Sequence, residues 1–234
     1  MVSLNKDYIE TLQKRINHQF KDVSLLQEAM THPSVANSDK SEYGYERLEF
    51  LGDRVLGLVI AELLLKKYPD DNEGDIAKRH TALVQRKALA HVAEAIDLSP
   101  NLLLSTGEVK TGGRENHAIL ADATEALIAA IYLDAGFEAA QKFIQDEWSG
   151  LVEKYTKPPQ DPKTELQEWV QSRQLPLPTY KLVDRSGPEH QPEFKVAVSI
   201  KGYETGYGIG NSKKKAEKRA AVAMLRNLGI EKPC

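Results

Sequence analysis

The sequence has almost no cysteine: Cys234 is the only one. An intramolecular disulfide is therefore excluded, and a reducing compartment, the cytoplasm, is the expectation. Long apolar runs are missing too. The longest, Val55–Leu65, is interrupted by Glu62 and is too short to span a bilayer, so no membrane partner is expected. The N-terminal stretch MVSLNKDYIETLQKR lacks the basic-then-apolar order of a signal peptide. No cysteine–histidine cluster offers a zinc site, because the six histidines are scattered along the chain.

What is present is acid, unevenly placed. The 234 residues, 41% hydrophobic and 28% charged, suit one large soluble domain or two small ones. The formal net charge is −3, but residues 160–234 hold 13 basic and 9 acidic groups, against 18 and 25 in residues 1–159. An acidic body with a small basic appendage points to a polyanion as the appendage's partner.

The stretch Tyr45–Leu65 reads as one helix. At about 100° per residue, Glu46, Glu49 and Asp53 fall within roughly 60° of one another, with Leu48, Leu51, Val55 and Leu58 opposite. Beyond Asp53 the helix is apolar nearly all round, as in a helix buried on most sides. Carboxylates on one stripe of such a helix repel one another and lose solvation. Two readings answer that: a bound divalent cation, or ion pairs with arginines from elsewhere, since Arg47 and Arg54 project to the side of the stripe. A second helix, Ile119–Leu133, sharpens the choice. Asp122 and Glu125 share one of its faces, and its alanines admit a close neighbour. Two buried acidic pairs are read more economically as one carboxylate cage for a hard cation.

Other helices are expected over residues 3–17 (Leu4, Tyr8, Leu12 and Ile16 inward), 22–31, 76–98 (capped by Asp75, in one piece or two) and 137–155. Another, short helix begins at Leu102–Leu104. Val35–Gly44 and the partly basic Glu108–His117 read as loops. Thr156–Pro162, TKPPQDP, reads as a linker. After it come a helix at Pro162–Gln174, strands near Tyr180–Asp184, Phe194–Lys201 and Tyr203–Ile209, and a helix at Asn211–Leu228 that opens with Lys213, Lys214 and Lys215.

ERLEFLGD (46–53) followed by ADATEALIAAIYLD (121–134) resembles the signature of bacterial ribonuclease III. GNSKKKAEKRAA (210–221) within an α-β-β-β-α order resembles the double-stranded-RNA-binding domain. The resemblance covers nearly the whole chain. It implies a multidomain protein: an all-α endonuclease and dimerisation domain at 1–155, a linker at 156–161, and a small α+β RNA-binding domain at 162–230. The implied activity is Mg²⁺-dependent cleavage of double-stranded RNA by a homodimer, with Mn²⁺ as a substitute metal. It leaves 5′-phosphate and 3′-hydroxyl ends and serves processing of ribosomal RNA precursors and other structured RNAs. By motif position, Glu49, Asp122 and Glu125 are the implied metal ligands, and Asp53 and Glu125 the residues most directly needed for chemistry. Glu46 and Glu73 are implied as supporting acids, and Phe50 as a dimer contact. Gln167, Glu168 and His190 would meet minor grooves, and Lys213, Lys214 and Lys218 the phosphates between them; Lys110 and Arg114 are weaker candidates for RNA contact. Arg54 and Tyr45 depart from the family's commoner small residue and Asn. Two other classes compete with this reading, a duplex-binding dimer without cleavage and a phosphohydrolase of small nucleotides. The full acid set argues against the first and the basic appendage against the second.

Overall fold

The computed structural model describes residues 6–35, 44–154, 161–188 and 191–230. Most of the loop expected after Val35, the linker 156–160 and His190 lie outside these residues. The chain divides into two compact units, Met1–Pro159 and Gln160–Cys234.

The first unit is helical: α1 (Lys6–Arg15), α2 (Val23–Ala29), α3 (Glu46–Lys67), α4 (Glu73–Val84), α5 (Arg86–Ala95), α6 (Thr106–Lys110), α7 (His117–Ala135) and α8 (Phe137–Lys154). Its centre is the pairing of α3 with α7, and α2, α5 and α8 also pack on α7. α7 is buried nearly all round, from Ile119 to Ile131, and its alanines keep it thin enough to be surrounded. On α3 the close approach falls at Gly52, where a Cβ would stand 1.8 Å from the backbone oxygen of Glu125. Only glycine allows the two backbones to meet there.

Several sequence expectations are corrected. On α3, Leu48 and Val55 are buried, but Leu58 is 60% exposed, as is Leu65 at 62%. The helix therefore keeps an open apolar side, because α7 and α8 cover only part of its circumference. Tyr8 is likewise exposed. Asn72, rather than Asp75, caps α4, its side chain accepting from the Asp75 N–H at 3.0 Å. The helical run expected over 76–98 is indeed two pieces, α4 and α5, which part at Gln85, whose backbone is extended (ψ 155°). Leu102–Leu104 is not helical. Leu103 N–H donates to the Met30 oxygen and its own oxygen accepts from His32 N–H, so tertiary hydrogen bonds hold the segment extended. Glu108–His117 is not simply a loop: it finishes α6, capped by Ser105, and makes a 3₁₀ turn at Gly113–Glu115.

The N-terminal helices are tied to α7 by Asp134. Its side chain is 1% exposed and accepts from the backbone N–H groups of Lys21 and Asp22 and from His18 Nε2 at 3.0 Å. Burial pushes this carboxyl up, but the two backbone donors and His18 outweigh it and hold Asp134 below the ordinary aspartate range. A depressed folded pKa means stability that is complete above the unfolded value and lost as pH falls through the folded one. Asp134→Asn is thus expected to cost about 2 kcal/mol near neutral pH and to flatten the acid limb of a circular-dichroism titration below about pH 4. An unchanged acid limb would rule out this role.

The second unit contains α9 (Pro162–Ser172), β1 (Thr179–Ser186), β2 (Glu193–Ser199), β3 (Gly206–Gly210) and α10 (Lys213–Asn227). The strands form an antiparallel sheet in the order β1-β2-β3. Phe194, Val196, Val198 and Ile200 pack toward the helices, as the alternation of β2 predicts. The last strand is shorter than expected, and Tyr203 lies in the turn before it. Gly206, Gly208 and Gly210 lie under α10, and a Cβ on Gly208 would stand 2.1 Å from Ala220 N. Asp161 and Ser212 cap α9 and α10.

Candidate active site and nucleic-acid face

The α3–α7 contact brings together side chains that are more than seventy residues apart in sequence. Carboxylate oxygens of Glu49, Asp122 and Glu125 lie within 4.8 Å of one another. Because Gly52 sits against the backbone of Glu125, the acids one turn away on α3 face those of α7. Burial, followed by the charges of Asp53, Glu49 and Asp122, pushes Glu125 up to about 8. Glu49 is raised by burial and then by Asp122 and Glu46, and Asp122 by burial. Arg86, the first residue of α5, lowers all three, and His32 also lowers Asp122, without cancelling the rise. Burial, followed by the charges of Asp122, Glu49, Glu46 and Glu108, holds the Tyr45 phenol protonated, well above the tyrosine range.

Such a cluster stores repulsion that a cation relieves. Its donors are all oxygens, which suits a hard divalent ion rather than zinc or copper. The residues therefore fit the metal that the resemblance implies.

The other candidates stand around this trio. Asp53 is outside it but is the strongest of the charges acting on Glu125. Arg54 does not simply project aside: its Nη1 is 2.9 Å from Asp53 Oδ2, and its guanidinium carbon lies 3.9 Å from the centre of the Phe50 ring. A long side chain can fold back over one residue, which helical-wheel angles do not show. Glu46 is exposed and acts on Glu49 and Tyr45. Glu73 opens α4, is exposed, and is not in the trio. Phe50 is 64% exposed and shares one side of α3 with Leu58 and Leu65.

Three residues escaped the sequence reading. Gly52 left a faint signal, as a lone glycine inside a helical run. Arg86 and His32 left none, because their nearness to the acids is purely tertiary. The His32 ring lies 5.7 Å from that of Tyr45, and its Nδ1 accepts from Ser34 N–H at 3.0 Å.

In the second unit, Gln167 and Glu168 are exposed on α9, and Lys213 and Lys214 are exposed at the start of α10. Lys218 instead pairs with Asp161 at 2.6 Å. Gly187 has φ +84°. In the first unit Lys110 is exposed, whereas Arg114 Nη1 donates to the Ser99 oxygen at 2.6 Å and ties the Gly113–Glu115 turn to Ser99. No described helix is long and apolar enough to cross a membrane.

Comparison with known proteins gives matches to both units. A family model described as ribonuclease-III-like matches residues 22–150, and one for the double-stranded RNA binding motif matches residues 162–228. The chain is 49% identical over 220 residues to ribonuclease 3 of Ehrlichia canis, covering 94% of this chain and 97% of that protein. It is 48% identical over 219 residues to ribonuclease 3 of Caulobacter vibrioides, covering 93% and 95%. Among solved structures, a nuclease domain of ribonuclease III from Campylobacter jejuni matches with a TM-score of 0.57 and 43% identity. It covers 63% of this chain and 98% of that one, and is described as showing structural flexibility in a region involved in dimer formation.

Proposed function

The chain belongs to the ribonuclease III family and is a double-strand-specific endoribonuclease, and from that premise we propose that it cuts RNA duplexes as a Mg²⁺-dependent homodimer. The observation that carries the metal reading is the trio of carboxylates, Glu49, Asp122 and Glu125, converging within 4.8 Å. These residues hold the cation, and Mn²⁺ substitutes for Mg²⁺. Once bound, the metal supplies Lewis acidity for phosphodiester hydrolysis.

The chain's own residues do the rest. Asp53, next to Glu125, orients the attacking water and takes up its proton. Arg54 holds the Asp53 carboxylate in place and adds a positive charge where the phosphate arrives. Glu46 adds to the charge acting on Glu49, and Glu73 is a supporting acid near the dimer valley. The products are 5′-phosphate and 3′-hydroxyl ends, and one site per protomer gives staggered cuts with a short 3′ overhang.

The second domain, 162–230, joined through 156–161 to the nuclease domain 1–155, reads duplex shape. The deep major groove of A-form RNA admits no side chains, so contacts go to the shallow minor groove and to phosphates. Gln167, Glu168 and His190 serve the first, and Lys213, Lys214 and Lys218 the second. Lys218 reaches phosphate by exchanging its partner Asp161. The substrates are structured precursors of ribosomal, messenger and transfer RNA in the cytoplasm.

The dimer is built on the exposed side of α3. Apolar side chains at Phe50, Leu58 and Leu65 that are at least 60% exposed form a patch that soluble monomers avoid. Phe50→Ala is expected to weaken the dimer by about 30-fold, as for an aromatic hot spot. Sedimentation velocity measures it, and a variant that stays as dimeric as the wild type removes Phe50 from the interface. Function itself is tested by incubating a long RNA duplex with the protein and Mg²⁺, with a gel shift in Ca²⁺ alongside. Binding without cleavage under any divalent metal would leave a duplex-binding protein only.

A further inference from the structure

The sheet of the second unit has two faces, and the duplex-binding residues account for neither. One is sealed: Phe194, Val196 and Val198 pack under the helices, and the three glycines of β3 lie against α10. Strand alternation therefore turns Lys195 and Ala197 of β2, and Tyr207 and Ile209 of β3, to the opposite face. The register completes the surface. Lys181 of β1 pairs with Ala197, which pairs in turn with Tyr207, and Lys195 pairs with Ile209.

This face is built as a platform. Tyr207 is 54% exposed and Ile209 43%. Ala197 lies between Lys181 and Tyr207, about 5 Å from each strand, and leaves a shallow floor between a cation and a ring. Lys195 Nζ is 5.5 Å from the centre of the Tyr207 ring. Of the acids of the face, Asp184 stands directly opposite Lys195 and Glu193 lies two residues beyond it. The Ala197 row thus carries Lys181 and Tyr207 without an acid, and Lys195 reaches the Tyr207 ring from the next outward position.

An exposed aromatic flanked by lysines on an open sheet is the combination that binds single-stranded nucleic acid, with a base on the ring and phosphates on the amines. A duplex cannot use it, because its bases are already stacked. We propose that the outer face of this sheet binds a single-stranded RNA segment continuous with the duplex that the same domain holds, so that tailed or looped substrates gain affinity over blunt ones. This rests on the duplex-binding reading only for delivery of the strand.

The test is fluorescence anisotropy of the full chain in Ca²⁺, with a blunt RNA duplex, the same duplex bearing a single-stranded uridine tail, and the tail alone. The tail is expected to tighten binding by about tenfold, the worth of one stacked base. Tyr207→Ala removes that gain and leaves blunt-duplex binding and the melting temperature unchanged, whereas Tyr207→Phe keeps it. Lys181→Gln with Lys195→Gln lowers the salt dependence of the tail's contribution by roughly one unit of slope. The proposal is overturned if the tail adds nothing, or if Tyr207→Ala weakens blunt and tailed duplexes alike. A Tyr207-dependent self-association in place of tail binding overturns it too. A wild type that binds the tail alone but no blunt duplex upholds this surface and overturns the duplex reading; one that binds neither overturns both.

Discussion

Glu125→Gln is expected to reduce cleavage of a long RNA duplex by on the order of 10³-fold or more, the scale on which preorganised charge in an active site acts. Duplex binding in Ca²⁺ should be unchanged. Glu125 is the acid on which the others converge. Asp53, Glu49 and Asp122 all raise its pKa, and burial raises it more than any of them. The amide keeps the size and half of the oxygen donors but removes the charge. Two further readings separate a metal ligand from a structural acid. Mn²⁺ should raise the melting temperature of the wild type, by mass action on the folded state, and raise that of the variant much less. In chelator, the variant should melt no lower than the wild type, because one of several mutually repelling charges is gone. A variant that cleaves at more than about a tenth of the wild-type rate would take Glu125 out of the chemistry. A variant that melts well below the wild type in chelator would make its role structural.

Gly52→Ala is expected to do comparable damage by another route. The added methyl would sit 1.8 Å from the Glu125 oxygen and 2.5 Å from its carbonyl carbon. The obstacle is backbone in the middle of α7, so no rotamer change relieves it, and α3 and α7 must separate. A cost of about 3 kcal/mol or more follows for such overpacking. In a domain of this size that is a fall of roughly 6–12 °C in melting temperature. Separation also moves Glu49 and Asp53 away from Asp122 and Glu125, so activity should fall further than stability explains. At a temperature where the variant is fully folded by circular dichroism, its half-saturating Mg²⁺ concentration should rise by about tenfold or more, as when a ligand's support is lost. Full stability together with normal metal dependence would show that the helices tolerate the methyl and that the close approach is not what sets the site.

The two substitutions show where sequence reading reaches and where it stops. The acids on α3 and α7 were legible because helical periodicity fixes which side chains share a face. Carboxylates on a half-buried helix face need a cation, whatever the fold. β2 was legible for a similar reason, since strict alternation declares a buried and an open face. The failures have one cause. Leu102–Leu104 has helix-forming residues, but backbone hydrogen bonds to Met30 and His32 hold it extended. Leu58 has the pattern of a core residue, but no described element covers it. Arg54 is on the wrong side of the wheel for Asp53, yet its side chain is long enough to reach back to it.

By itself, the sequence determined the two-part organisation, the helical and α-β-β-β-α orders, the family, and the candidate acids and lysines. These are written in local periodicity and in motifs, and local rules govern them. Only the tertiary structure decided that Glu49, Asp122 and Glu125 meet within 4.8 Å, and that a glycine is what lets them. It also placed Arg86 and His32 beside them, left one side of α3 bare, and turned Tyr207 outward from a row of buried glycines. Each of these depends on contacts between residues far apart in the chain, and periodicity along one element says nothing about the distance to another.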